Sequence, residues 1–173
     1  MNKLILTTAA WLAALPAYGQ GFVNFSTLVQ GFVDLRLVLP DGSGAGAGWV
    51  AQLYGGKPGE TLAPLSPSTT FLYSSPAVMG YVKAVYVGLP GVPPAKPATI
   101  LVRAFTGPSW DTSPLRYESN PITITVGGGI VRPPNLVGLT TFKAVPIQAG
   151  PLITKEPESQ FAALGSSATF KVE

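Results

Sequence analysis

The chain has 173 residues, 46% of them hydrophobic and 11% charged, with 20 glycines, 18 prolines, no cysteine and no histidine. Disulfides, thiolate or imidazole metal ligands, and Ser-His-Asp or Cys-His catalytic arrangements are therefore excluded within it. The net charge is +3, from 11 Lys and Arg against 8 Asp and Glu. Basic residues are scattered singly at Lys57, Lys83, Arg103, Arg116, Arg132 and Lys143, without the clustered basic face that nucleic acid requires.

Residues 1–19 read as a cleavable export signal that forms a short helix. Lys3 supplies the positive start, residues 4–15 an apolar run, and Ala17-Tyr18-Gly19 a small-x-small exit before Gln20. The run is too short for a bilayer, which needs about 20 apolar residues. No second long apolar run follows it, so the mature product is expected to lack a membrane span and to be secreted, periplasmic or held at the cell surface. About 150 residues remain after cleavage, enough for one core without covalent staples.

Beyond the leader, short β-branched and aromatic runs alternate with Gly and Pro breaks, and none carries the 3.6-residue stripe of an amphipathic helix. Strands are predicted over residues 21–27, 33–37, 49–54, 69–73, 81–87, 99–105, 121–126 and 139–143. Val33, Leu35 and Leu37 share one face while Asp34 and Arg36 share the other, as a half-buried strand requires, and the two charges are read as a solvent-facing pair. Pro40-Asp41-Gly42, Gly55-Gly56, residues 88–97, Gly107-Pro108 and Gly127-Gly128-Gly129 are predicted turns, with Asn120-Pro121 imposing an extended approach to the next strand. Many short strands with alternating faces predict an all-β fold, an antiparallel β-sandwich of Greek-key, immunoglobulin-like type spanning residues 20–145.

A second segment starts after a linker at residues 146–150. Residues 151–173 contain a Pro-Leu-Ile-Thr strand, the Pro157-Glu158-Ser159-Gln160 crossing, a Gly165-Ser166-Ser167 turn and the alternation of Ala168, Phe170 and Val172. This resembles the opening of a bacterial immunoglobulin-like domain. Such a domain needs about seven strands, so the resemblance implies a fragment of a longer product; the alternative is that the piece docks as an edge strand on the first domain. Residues 21–25, 51–56 and 118–123 loosely resemble β-rich exported modules of environmental bacteria, a likeness that implies an extracellular setting and carries over no functional residue.

Residues 42–47, Gly-Ser-Gly-Ala-Gly-Ala, fit the glycine string of a dinucleotide site. A strand rather than a helix follows, so they are read as a flexible turn, and no cofactor is expected. Asp34 and Asp41 supply too few oxygens for calcium, and no metal is expected. Asn24-Phe25-Ser26 fits a glycosylation acceptor but falls inside a strand. Trp49, Tyr54, Tyr73, Tyr81 and Tyr86 are either a stacking platform or core and cross-strand packing; alternation of faces favours packing.

The predicted loop over residues 107–120 is the candidate binding site. Trp110, Asp111, Arg116, Tyr117, Glu118 and Asn120 combine aromatic faces with polar groups suited to a sugar ring or a partner surface. Asp111 and Glu118 are also the best-placed carboxylate pair for glycosidic acid-base chemistry. The plainer reading makes Trp110 a lid at the end of the sandwich and pairs Glu118 with Arg116. Together these features predict a non-catalytic structural or interaction module of an exported protein, partnered by polysaccharide or another surface protein. The alternatives are a carbohydrate-binding module and the accessory region of a larger extracellular hydrolase.

Overall fold

The computed structural model describes residues 19–146 and 164–167. The expected leader (but for Gly19), the linker after Pro146 and the immunoglobulin-like opening other than residues 164–167 lie outside the described residues. Within them the protein is all-β and contains no helix. The strands are β1 (Gly21–Phe25), β2 (Leu28–Val29), β3 (Val33–Asp34), β4 (Trp49–Gly56), β5 (Ala63–Pro64), β6 (Thr69–Thr70), β7 (Val85–Leu89), β8 (Pro97–Thr106), β9 (Arg116–Ser119), β10 (Ile122–Thr125) and β11 (Phe142–Ala144). All strand pairs are antiparallel.

The spine is β4 against β8, in register from Trp49 opposite Thr106 to Gly56 opposite Thr99. Both strands alternate, so Ala51, Leu53, Ile100, Val102 and Ala104 form one face and are fully buried. Val23, Phe25, Val87 and Leu89 of the β1–β7 pair belong to the same apolar cluster. One core thus draws on residues of all three sheets, Val33 of the β2–β3 pair included, and is formed without disulfides. Leu136 and Leu139 close one side of it, where the loop after β10 bonds to β1. There Phe22 and Gly127 exchange backbone bonds of 2.9 and 3.0 Å, and the Asn24 amide donates to the Pro134 carbonyl at 2.9 Å.

The far edge of β8 is shared. Its first half pairs with β10 and its second half with β9, and β11 lies outside β9. Between the pairs Glu118–Arg103 and Ile122–Ile100, the β9–β10 side carries one residue more than β8. That extra residue is a β-bulge at Asn120. The Ser119 hydroxyl bridges the interruption, accepting from the Val102 amide at 2.9 Å and donating to the Asn120 carbonyl at 3.0 Å.

Several sequence expectations are corrected here. Gly55 and Gly56 continue β4 instead of turning; a Cβ on Gly55 would lie 2.9 Å from Ile100 and 3.0 Å from Leu65, so glycine is required by packing. Residues 116–119, expected in a loop, are strand β9. Asp34 and Arg36 do not pair. Asp34 accepts from the Tyr81 hydroxyl at 2.6 Å, whereas Arg36 donates to the carbonyls of Met79 at 2.6 Å and Pro76 at 3.0 Å. Within the glycine string at residues 42–47, Gly44 is closely packed: a Cβ on it would lie 2.3 Å from the Met79 carbonyl oxygen.

Candidate functional site

The expected binding residues gather around the outer face of the β4–β8–β9 sheet, the face turned away from the core. Because Leu53, Val102 and Ala104 point inward, their neighbours Tyr54, Arg103 and Phe105 point outward. Residues 107–115 then fold back and lay Trp110 over them. Its ring meets Phe105 edge-on with centroids 6.2 Å apart, and only 8% of Trp110 is exposed.

Arg103 is the centre of this arrangement. Its guanidinium carbon lies 4.2 Å from the Tyr54 ring centroid and 4.5 Å from that of Trp110, so the cation is held against two π faces. Its Nε donates to Glu118 Oε2 at 2.7 Å, with the two side chains 27% and 31% exposed. The pairing follows from register: Glu118 stands directly opposite Arg103 across the ladder, closer than the i+2 neighbour Arg116 on its own strand. The sequence reading of Glu118 with Arg116 is thereby replaced by Glu118 with Arg103.

Arg116 contributes a second cation 5.5 Å from the Trp110 ring. One of its terminal nitrogens donates to the Pro146 carbonyl at 2.6 Å, while its Nε is buried and has no partner. Trp110 therefore has cations against it from two strands and forms a lid on the outer face. It is not the end-cap of the core that the plainer sequence reading expected.

The remaining candidates separate from this cluster. Tyr117 faces inward, packs on the core and stacks obliquely with Trp49 at 5.7 Å. Asp111 is exposed at the loop tip, so it shares neither strand nor face with Glu118. Asn120 binds the loop that delivers β11. Its Nδ2 donates to the Gly138 carbonyl at 2.9 Å, and its Oδ1 accepts from the amides of Thr140 at 2.8 Å and Thr141 at 3.3 Å.

Of the proposed aromatic platform, Trp49 and Tyr54 are packed, Tyr73 and Tyr86 are exposed, and Tyr81 is tied to Asp34. That bond, the largest influence on the Tyr81 phenol, raises its pKa above 10.0, with desolvation and the charge of Asp34 adding to it. Asp41, by contrast, is held below the ordinary carboxylate value by the hydroxyl and amide of Ser43, at 2.7 and 2.9 Å.

Sequence reasoning missed Arg103 as the centre of the cluster, and it weighed Tyr54 only as part of the aromatic platform without joining it to this site. The available signal was a lone cation inside the apolar run of β8: a charge in a sheet centre needs a partner, and alternation places it on the face opposite Val102. Set against known proteins, the chain matches no family model, no curated protein sequence and no solved structure.

Proposed function

We propose that this chain is a non-catalytic interaction module of an exported protein, built as an immunoglobulin-like β-sandwich that holds edges and loops rigid for a partner. The sandwich reading is supported by the single core shared by β1, β7, β4 and β8. The functional reading rests on one observation: the aromatic and polar groups of the candidate site are engaged with one another. Trp110 lies against Arg103 and Arg116, Glu118 is paired with Arg103, and the Asn120 amide holds residues 138–141. Such a cluster stiffens the sheet and leaves recognition to surfaces around it. A sugar stacking on Trp110 would first have to displace two arginines.

The discriminating experiment is a depletion assay of the purified chain against insoluble polysaccharides, alongside Trp110→Ala. The interaction-module reading expects no retention that depends on Trp110. Retention abolished by Trp110→Ala, in a variant that keeps the β spectrum of the parent, replaces it with the carbohydrate-binding reading.

A further inference from the structure

We propose that the open edge of β11 docks an extended partner segment, added as a further antiparallel strand with an acidic side chain opposite Lys143. This deepens the interaction-module reading by naming a surface and a partner chemistry.

The first support is the direction of the backbone groups. β11 is the terminal strand of its sheet and pairs with β9 alone. The Asn120 amide donates to the Thr141 carbonyl at 3.3 Å, and the Val145 amide to the Arg116 carbonyl at 2.8 Å. Positions 141 and 145 therefore face β9. In an antiparallel ladder that direction alternates, so the amides and carbonyls of Phe142 and Ala144 face away from the sheet. Among the described residues nothing pairs with them.

The second support is charge. Register aligns Gln52, Arg103, Glu118 and Lys143 in one outer-face row across β4, β8, β9 and β11. Glu118 is engaged by Arg103, and Lys143 has no carboxylate within 4.0 Å among the described residues. The row thus alternates positive, negative, positive and stops at the edge on an unpaired cation. Opposite charges directly across a ladder stabilise it, so the next strand out is suited to a carboxylate at that place.

The third support lies on the inner side. A hollow of about 370 Å³ is lined by Leu115, Tyr117, Ala144 and Pro146, among others. An incoming strand with a carboxylate facing Lys143 turns its flanking side chains toward Phe142, Ala144 and this hollow. The partner segment is then apolar, acidic, apolar, in extended conformation, as in other strand additions to a sheet edge. Self-pairing of two copies centred on residue 143 sets Lys143 against its own image, and lysine on an edge strand opposes such pairing.

The test uses the full chain, amide hydrogen exchange, and two blocked pentapeptides, Thr-Val-Glu-Val-Thr and Thr-Val-Lys-Val-Thr. At millimolar concentration the glutamate peptide is expected to slow exchange at Phe142 and Ala144 by about tenfold, with about threefold less protection from the lysine peptide. Lys143→Glu is expected to reverse the preference. Ala144→Pro, which deletes one outward donor, is expected to abolish protection at Phe142 while the core amide of Val102 stays protected. Equal protection by both peptides, no protection by either, or an unchanged preference in Lys143→Glu overturns the proposal. Protection that grows with protein concentration in the absence of peptide also overturns it, by assigning the edge to a second copy. None of these outcomes bears on the depletion assay, so failure here is distinguishable from failure of the module reading.

Discussion

The Val102 amide lies 2.9 Å from the Ser119 hydroxyl oxygen, and that bond marks where one long flanking strand is divided into β9 and β10. Ser119 is 4% exposed and Val102 fully buried. Ser119→Ala would leave the Val102 amide without a partner inside the sheet, a loss of about 1 to 3 kcal/mol. Urea unfolding should show a midpoint lowered by on the order of 1 M at unchanged slope. Ser109→Ala, in the exposed turn before Trp110, should leave the midpoint within about 0.3 M.

Asn120 holds the neighbouring element through its side chain. Asn120→Ala removes the acceptor for Thr140 and Thr141 and the donor to Gly138, and should destabilise the protein by about 1 to 2 kcal/mol. Asn120→Asp keeps the acceptor and should cost less. The diagnostic measurement is amide exchange at residues 140 and 141: acceleration in the alanine variant and partial protection in the aspartate variant are expected. Equal rates in all three proteins would remove Asn120 from this role.

These two residues also show where the sequence was legible and where it was not. Strands β4 and β8 were readable because each is a long apolar and β-branched run that sets Ala51 and Leu53, or Ile100, Val102 and Ala104, at every second place on the buried face. β9 was not, since Arg116-Tyr117-Glu118-Ser119 carries polar groups outward and is covered only because Trp110 folds back upon Arg103 and Arg116. Nor was the bulge, because the partners of Asn120 stand about twenty positions further along the chain and no local pattern announces them. Gly55-Gly56 has the composition of a turn, yet only the contacts that a Cβ on Gly55 would make with Ile100 and Leu65 explain why a glycine sits there in a central strand. β2 and β5, two residues each, are too short to display any period.

The glycine string at residues 42–47 makes a structural prediction in place of a nucleotide-binding one. Gly44 abuts the Met79 carbonyl, with a Cβ placed 2.3 Å from its oxygen, whereas Gly42 has φ +83° and open space around it. Gly44→Ala must displace the backbone of the facing segment and should lose at least about 3 kcal/mol. Gly42→Ala suffers only from its left-handed backbone, about 1 kcal/mol. Thermal unfolding of the two variants should rank them in that order.

The outer-face cluster can be tested through Trp110 fluorescence. Arg103→Ala removes the cation between Tyr54 and Trp110 and leaves Glu118 without its partner. A red-shifted emission maximum and a stability loss of about 1 to 3 kcal/mol are expected. The shift should vanish in the double variant Arg103→Ala/Trp110→Phe, which assigns it to this ring. An unshifted spectrum in Arg103→Ala would mean that residues 107–115 hold Trp110 without the arginine.

Tyr81 supplies the pH dependence. Its phenol donates to Asp34 at 2.6 Å, and the carboxylate raises its pKa above the ordinary 10.0. A group whose folded pKa exceeds its unfolded value contributes stability that is fully present below the unfolded value and is lost as pH rises through the folded one. The bond should therefore be intact at neutral pH and lost only in alkaline solution above pH 10. Ultraviolet difference titration should show a Tyr81 transition displaced above pH 10, and Asp34→Asn should bring that transition back toward 10. The same variant removes the acceptor charge that ties residue 81 to β3, so its alkaline unfolding should start from lower stability and no longer carry the Tyr81 contribution. A titration curve identical in the parent and Asp34→Asn would refute the assignment.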